Sequence, residues 1–399
     1  MRSQTKPSIA FVVPRFDPEL AGGAEVLAKG LATRLLQRGY PVTVLTTCAR
    51  DHFTWKNFFP PGEVDSNGMR VRRFPVNESR DIRRFLEIQE KIIKYQDLSF
   101  EEEKEWISQS VVSEALFKEL ERARSEHDVF IFIPYLFGTT YWGAQTVAEK
   151  AVLIPCLHDE PYAHLRIFKE LFDNVKAVMF NAEAEKRLGE DLYDLPDRKT
   201  CVVGMGFEPT GPHYPDRFRE RFRMPEPFVL YAGRREGGKN SDLLIEYFRV
   251  FKRHIGFDMK LAMMGTGPLP LQPIDKKYVV DLGYLSEQAK RDAFAAATVF
   301  CQPSLNESLS IVLMEAWLAE RPVMVHAKCP VTVEHCVRSK GGLYFDNYYE
   351  FEDILALFLT NPALADGFGK NGIEYVRKEY SWEAVIGRFE SGLAKFGFG

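Results

Sequence analysis

The chain has 399 residues, 45% hydrophobic and 27% charged, which is the balance of a globular protein with room for two domains of ordinary size. A net charge of −4 leaves no basic footprint for nucleic acid, and six scattered cysteines with no Cys-x-x-Cys pair indicate neither a zinc site nor a disulfide framework. No apolar run approaches the roughly 18 residues of a membrane helix, and 9–13 is too short for a signal-peptide core, so a cytoplasmic protein is expected, with peripheral contact at the inner membrane face left open.

Taken in order, 9–13 (Ile-Ala-Phe-Val-Val) reads as a buried strand, and a loop with Pro14, Pro18 and the pair Gly22-Gly23 follows. Residues 24–38 read as a helix with Leu27, Leu31 and Leu35 on one face, Gly39 stands where a C-terminal cap belongs, and 42–46 is the next strand. Gly22 and Gly23 allow a ligand close to the backbone at a helix N-terminus that favours phosphate, although this is not Gly-x-Gly-x-x-Gly. Residues 50–75 read as an irregular aromatic and proline-rich loop, suited to covering an acceptor or to plain packing. Residues 78–126 read as two charged amphipathic helices with a solvated outer face. Strands are expected at 128–137, 152–157 and 177–181. The second ends at His158-Asp159-Glu160, and polar residues at the carboxyl end of a parallel strand stand where open α/β sheets bind ligands. Residues 201–207, with Gly204, Gly206, Pro209, Gly211, Pro212 and Pro215 clustered there, read as a linker.

The strand–helix alternation then repeats. A strand at 228–232 leads into Gly233-Arg234-Arg235-Glu236-Gly237-Gly238-Lys239 and a helix from Ser241. Glycines that free the backbone, with Arg234 and Lys239 between them and Glu236 as the turn's acidic residue, describe a polyanion site. A strand at 261–264 ends in Gly265-Thr266-Gly267, a second place for backbone to touch a nucleotide. A strand at 278–282, a helix near 286–296 and a strand at 298–302 follow. Next comes a polar turn, then 309–318, apolar all round apart from Ser310 and Glu315, which is the pattern of a buried helix. Glu307 is expected at its N-terminus and Glu315 eight positions on, about 12 Å away at ~1.5 Å per residue, with the N–H groups of Leu309, Ser310 and Ile311 between them. Two carboxylates bracketing free N–H groups suit an extended anionic ligand with hydroxyls at both ends, which is the shape of a nucleotide sugar. Residues 340–345 turn into a last strand, and Trp382, Val385, Ile386, Phe389, Leu393 and Phe396 fall at helical spacing.

Glu307 to Glu315 resembles the Glu-x7-Glu motif of the retaining glycosyltransferases of family 4, which have the GT-B fold. Gly233-Arg234 with Lys239 resembles the family's Gly-Arg-x(n)-Lys signature, Gly22-Gly23-Ala24-Glu25 its first glycine-rich loop, and Phe180-Asn181 the strand that closes its first domain. The likeness spans nearly the whole chain and is strongest from 228 to 345. Where the family usually has Gly-Phe-Gly after the first Glu, this chain has Ser308-Leu309-Ser310.

The resemblance implies two Rossmann-like domains facing a central cleft. They would be an acceptor-side domain at 1–205 and a nucleotide-sugar domain at 206–380, with a helix at 381–399 crossing back to the first. It implies that Glu307 holds donor-sugar hydroxyls, Glu315 the ribose and Gly23 the donor phosphate, and that His158 reaches the donor sugar or the reacting centre. The activity implied is transfer of a sugar, with retention, from a nucleotide-diphosphate-sugar to a glycan, lipid-linked or small-molecule acceptor. The leaving phosphate would help remove the acceptor proton. An epimerase of the same fold and a non-catalytic nucleotide-sugar-binding subunit stay open as alternatives, as do the donor base and the oligomeric state. No cofactor and no metal are expected: the chain has no Asp-x-Asp, and the groups beside the presumed phosphates already carry positive charge.

Overall fold

The structure, a computed structural model, describes residues 6–17, 22–208, 211–235 and 237–398. Part of the first glycine-rich loop (18–21), Pro209 of the linker and Glu236 of the basic turn lie outside the described residues. The chain divides into two compact units, Met1–Gly206 with Trp382–Gly399, and Phe207–Ser381.

The elements up to residue 206 are β1 (Ile9–Val13), α1 (Gly23–Gln37), β2 (Val42–Thr47), β3 (Gly62–Ser66), β4 (Met69–Phe74), α2 (Ile82–Ile93), α3 (Phe100–Ser108), α4 (Glu114–Arg122), β5 (Val129–Phe132), α5 (Gly138–Thr146), β6 (Ala151–Leu153), α6 (Arg166–Asn174), β7 (Ala177–Phe180), α7 (Glu183–Tyr193) and β8 (Thr200–Val202). The second unit contains α8 (Pro215–Phe222), β9 (Phe228–Ala232), α9 (Ser241–His254), β10 (Lys260–Met264), β11 (Val279–Gly283), α10 (Glu287–Ala296), β12 (Val299–Gln302), α11 (Ile311–Leu318), β13 (Val323–His326), α12 (Pro330–Ser339), β14 (Gly342–Phe345), α13 (Tyr348–Thr360) and α14 (Pro362–Glu379), and α15 (Trp382–Lys395) closes the chain.

In the first unit one sheet runs β3-β4-β2-β1-β5-β6-β7-β8, parallel throughout except where β3 meets β4. Every residue of β1, β2 and β5 is buried, as expected for parallel strands covered on both faces. Trp106 of α3 stacks on Phe85 and Tyr162 in the core above the sheet. α15 belongs to this unit: Trp382 fills the space where Gly30 and Gly206 lack a Cβ, and Arg388 donates to the Val203 carbonyl at 2.9 and 3.1 Å.

In the second unit the sheet is wholly parallel, in the order β11-β10-β9-β12-β13-β14. Counted within the unit this is 3-2-1-4-5-6, the doubly wound order. Among the described residues no helix is long and apolar enough to cross a membrane.

Four sequence expectations are corrected. Residues 50–75 are not wholly irregular: β3 and β4 form an antiparallel hairpin, turned at Asn67-Gly68, both with positive φ. This is the Asn-Gly hairpin signal, overlooked among the aromatics and prolines around it. Residues 78–126 hold three helices because Ser99 forms a capping box with Glu102 and Ser113 caps a further start. The strands expected at 128–137 and 152–157 stop at Phe132 and Leu153, ahead of Pro134 and Pro155, which have no N–H for a ladder. Cys201 and Val202 lie in β8 rather than in the linker.

Asp275, in the turn before β11, is fully buried and accepts from Arg249 Nε and Nη2 at 2.8 and 2.7 Å, the Tyr278 hydroxyl at 3.0 Å and the Gln272 N–H at 2.8 Å. The hydrogen bonds from Arg249 hold its carboxyl below the ordinary aspartate value, against the pull of burial. Asp275→Asn leaves the guanidinium with no charged partner and should cost about 3 kcal/mol of unfolding free energy. A depressed folded pKa gives stability that is present above the unfolded value and lost as pH falls through the folded one. The gap between wild type and variant in urea melts should therefore stay constant above about pH 4 and close below it. A gap independent of pH would rule out the charged pair.

Candidate functional site

β9 lies between β10 and β12, so the crossovers leaving β9 and β12 run to opposite sides of the sheet. Their carboxyl-end loops part there, and open α/β sheets bind ligands at such a point. The loop after β9 carries Gly233, Arg234 and Lys239, and the loop after β12 carries Glu307 to Ser310. The Leu305 N–H donates to the Gly238 carbonyl at 3.1 Å and ties the two loops together.

Lys239 Nζ donates to Glu307 Oε1 at 2.7 Å, and Gln302 Nε2 donates to the same oxygen at 2.7 Å. The Ser310 hydroxyl in turn donates to Gln302 Oε1. The Glu307 side chain is only 10% exposed, so these donors offset the cost of burying a carboxylate. Lys239 thus has an acidic partner in Glu307, where the sequence pointed only to Glu236.

α11 begins at Ile311, not at Leu309, so Glu307 stands in the loop before the helix and the span from Glu307 to Glu315 is only partly helical. Ser310 occupies the N-cap position with φ 70° and its hydroxyl turned to Gln302 rather than to the helix. A left-handed conformation costs an L-residue roughly 1–2 kcal/mol. The expected outward N–H groups are carried by a loop whose side chains at Leu309 and Ser310 are buried and at Ser308 half-buried.

Glu315 sits one turn into α11. Lys290 of α10 donates to its Oε1 at 2.7 Å, while its Oε2 is buried with no hydrogen-bond partner among the described residues. Burial raises the Glu315 pKa, and Lys290 opposes the rise. The unpartnered oxygen is an acceptor lacking a donor. The rotation of α11 is fixed by Trp317, whose Nε1 donates to the Gly341 carbonyl at 3.0 Å and whose ring lies where Gly372 has no Cβ.

The adjacent arginines after β9 divide their work. Arg234 is exposed, with its carbonyl held by the Tyr231 hydroxyl at 2.7 Å. Arg235 is buried and donates to Asp281 and to the Gly267 and Met263 carbonyls. Gly265, at φ 126°, passes the Gly233 carbonyl so closely that a Cβ would stand 2.0 Å from its oxygen. Gly267, at φ 113°, lies against Arg235. The close packing of these loop ends accounts for both glycines. Gln302, Lys290 and Arg235 were missed in the sequence. Only Gln302 left a signal there, as a polar residue closing a buried strand.

Gly22, Gly23 and His158 belong to the first unit and the other sequence candidates to the second. Gly22 precedes α1, and a Cβ on it would meet Glu25 Oε2 at 2.0 Å. His158 is half-buried beyond β6, its Nδ1 3.9 Å from Glu160 Oε1. Among the described residues no three His, Cys, Asp or Glu side chains converge as a metal-ligand set.

Residues 215–375 match the family model described as glycosyl transferases group 1. The D-inositol 3-phosphate glycosyltransferase of Corynebacterium glutamicum is 24% identical over 246 residues, which cover 56% of this chain and 58% of that relative. The match thus spans less than two thirds of the relative's length. Sucrose-phosphate synthase from Thermosynechococcus elongatus superposes with a TM-score of 0.70 at 18% identity, covering 98% of this chain and 99% of that one. Anabaena HepE in complex with UDP-glucose superposes with a TM-score of 0.70 at 15% identity, covering 97% and 99%. The two-unit α/β fold is that of the GT-B glycosyltransferases, and the stretch that matches the glycosyl transferases group 1 model lies within the second unit.

The glycines after β9 and β10 should respond unequally to alanine. Gly265→Ala forces a Cβ into the Gly233 carbonyl at a strained φ and should destabilise by on the order of 3 kcal/mol or more. A Cβ at Gly237 meets nothing within 4 Å, so Gly237→Ala should change stability by less than about 1 kcal/mol. Chemical denaturation of the two variants checks this, and equal losses would contradict the packing described.

Proposed function

We propose that the protein is a retaining glycosyltransferase that moves a sugar from a nucleotide-diphosphate-sugar to a glycan, lipid-linked or small-molecule acceptor without a divalent metal. The observation that carries this reading is the junction of Lys239, Glu307, Gln302 and Ser310 at the strand-order reversal, inside the stretch that matches a glycosyltransferase family. The UDP-glucose complex of a fold neighbour and the named activity of the Corynebacterium relative support the donor class and the reaction class.

In this reading Arg234 and Lys239 offset charge that builds on the leaving diphosphate, and the backbone N–H groups of Ser308, Leu309 and Ser310 supply further donors. Glu307 accepts from hydroxyls of the donor sugar, its carboxylate aimed by Gln302. Glu315 accepts from a ribose hydroxyl through the oxygen that Lys290 leaves unpartnered. No side chain acts as a covalent nucleophile: the protein positions the donor and stabilises the departing charge, and a phosphate oxygen takes the acceptor proton.

The two carboxylates separate the sugar and ribose ends. Glu315→Gln should weaken both donor and free nucleoside diphosphate by about tenfold, the scale of one hydrogen bond to a charged group. Glu307→Gln should lower donor turnover by a similar factor while nucleoside diphosphate affinity changes much less. Calorimetry with the diphosphate beside turnover of the sugar donor distinguishes them, and equal losses of nucleotide affinity would sink the assignment.

The metal is tested directly. Where arginine, lysine and backbone donors already face the phosphates, a cation is redundant. Purified protein should form product in excess EDTA at a rate within about twofold of that with magnesium, since no metal-bridged charge is lost. Activity abolished by EDTA and restored by magnesium or manganese would overturn the cationic cradle.

A further inference from the structure

Buried donors without acceptors gather at the carboxyl ends of β1, β2 and β4. Arg73, next to last in β4, lies in register beside Thr46 of β2. Its side chain is 11% exposed, and its guanidinium carbon lies 4.5 Å from the Phe59 ring centre. The Asp17 carboxylate stands 3.7 Å from Nη2, beyond hydrogen-bond reach, and Nε is buried with no hydrogen-bond partner among the described residues. Thr46 is wholly buried, and its hydroxyl has no hydrogen-bond partner either. Arg15, just past β1, is 12% exposed; it gives Nη2 to Glu25 and Nη1 to the Arg50 carbonyl at 3.1 Å, and its Nε is also without a hydrogen-bond partner among the described residues. A chain of contacts joins the two guanidiniums: Arg15 to the Arg50 carbonyl, Arg50 over Phe58, Phe58 against Phe59 at 5.0 Å, and Phe59 under Arg73.

Arginine is almost never buried without partners, and a buried donor with no acceptor is unfavourable. Glu25 and Asp17 offset the two charges, so the surplus is one of N–H and O–H donors rather than of net charge. A ligand that satisfies several neighbouring donors must offer several acceptor oxygens, and the guanidinium fork matches phosphate oxygens best. Resting on the glycosyltransferase reading, we propose that Arg73, Arg15 and Thr46 form the position for a phosphoryl group carried by the acceptor, so that the acceptor is a phosphomonoester.

The test uses the full chain with saturating UDP, which occupies the proposed donor-phosphate position. Calorimetric titration with inorganic phosphate and with glucose 6-phosphate should show binding, and glucose alone should show none. Arg73→Gln should lower both affinities about tenfold, whereas Arg234→Ala should weaken UDP and leave the glucose 6-phosphate response in place. Sedimentation with phosphatidate vesicles asks whether the phosphate is borne on a lipid; binding there that depends on Arg73 supports the same site. If Arg73→Gln does not fold, Thr46→Val removes a single donor at unchanged charge and should weaken glucose 6-phosphate severalfold. No phosphate binding by the wild type, or equal binding by wild type and the variants, overturns the proposal. Loss of thermal stability in Arg73→Gln with phosphate affinity unchanged would make Arg73 a mere support for Asp17 and overturns it too. Arg73-dependent phosphate binding in a protein that fails to bind UDP would sink the donor reading and leave this site standing.

Discussion

In the second unit the decisive constraint is the reversal of strand order between β9 and β12. A wholly parallel sheet buries its strands on both faces, so polar groups can gather only at the strand ends. Of those ends, only the neighbours whose crossovers leave in opposite directions hold a space open. The remaining packing keeps that space in shape. Gly233, Gly265 and Gly267 let the ends of β9 and β10 close on each other, and Arg235 fastens them by donating to Asp281 and to two carbonyls. Trp317, locked between Gly341 and Gly372, sets the rotation of α11 and with it the position of Glu315.

Within that frame the chain departs from the glycine pattern of the family it resembles, and the structure shows what the departure needs. Ser310 is held left-handed where glycine would cost nothing. Its hydroxyl, however, reaches Gln302, and Gln302 reaches Glu307. A glycine at 310 would relieve the backbone and remove the outer link of this relay. The serine thus exchanges backbone ease for a side-chain connection that orients Glu307 from behind, while Lys239 approaches the same oxygen from the other loop. Glu315 is held in a similar way, with Lys290 on one oxygen and nothing on the other.

Much of this was legible because strand ends are punctuated by glycine and proline and because buried parallel strands are continuous apolar runs. β9 was read to the residue, the Arg-Lys turn falls at its end, Glu307 in the loop after β12 and Glu315 in the helix that follows. What escaped depended on local geometry or on partners distant in sequence. Asn67-Gly68 makes a hairpin that its proline- and aromatic-rich surroundings concealed. Ser99 and Ser113 start helices inside a run that composition alone merges. The difference between Arg234 and Arg235 depends on Asp281, some 46 residues on, which no spacing rule could pick out. The start of α11 moved by two residues because a left-handed serine is not visible in hydrophobic periodicity.

Two sets of buried polar groups without hydrogen-bond partners among the described residues differ in kind, and the difference carries chemical meaning. One turn into α11 the group is an acceptor, Glu315 Oε2, while Arg235 Nε just past β9 is a buried donor without a hydrogen-bond partner among the described residues. At the carboxyl ends of β1, β2 and β4 the groups are donors, on Arg15, Thr46 and Arg73. A buried acceptor calls for a hydroxyl, and a cluster of buried donors calls for an anion with several oxygens. Burial makes both demands strict, since a buried polar group without a partner is unfavourable. Glu315 and the group of Arg15, Thr46 and Arg73 thus leave unmet hydrogen-bond requirements of opposite sign, and the sign sets the chemistry that would satisfy each.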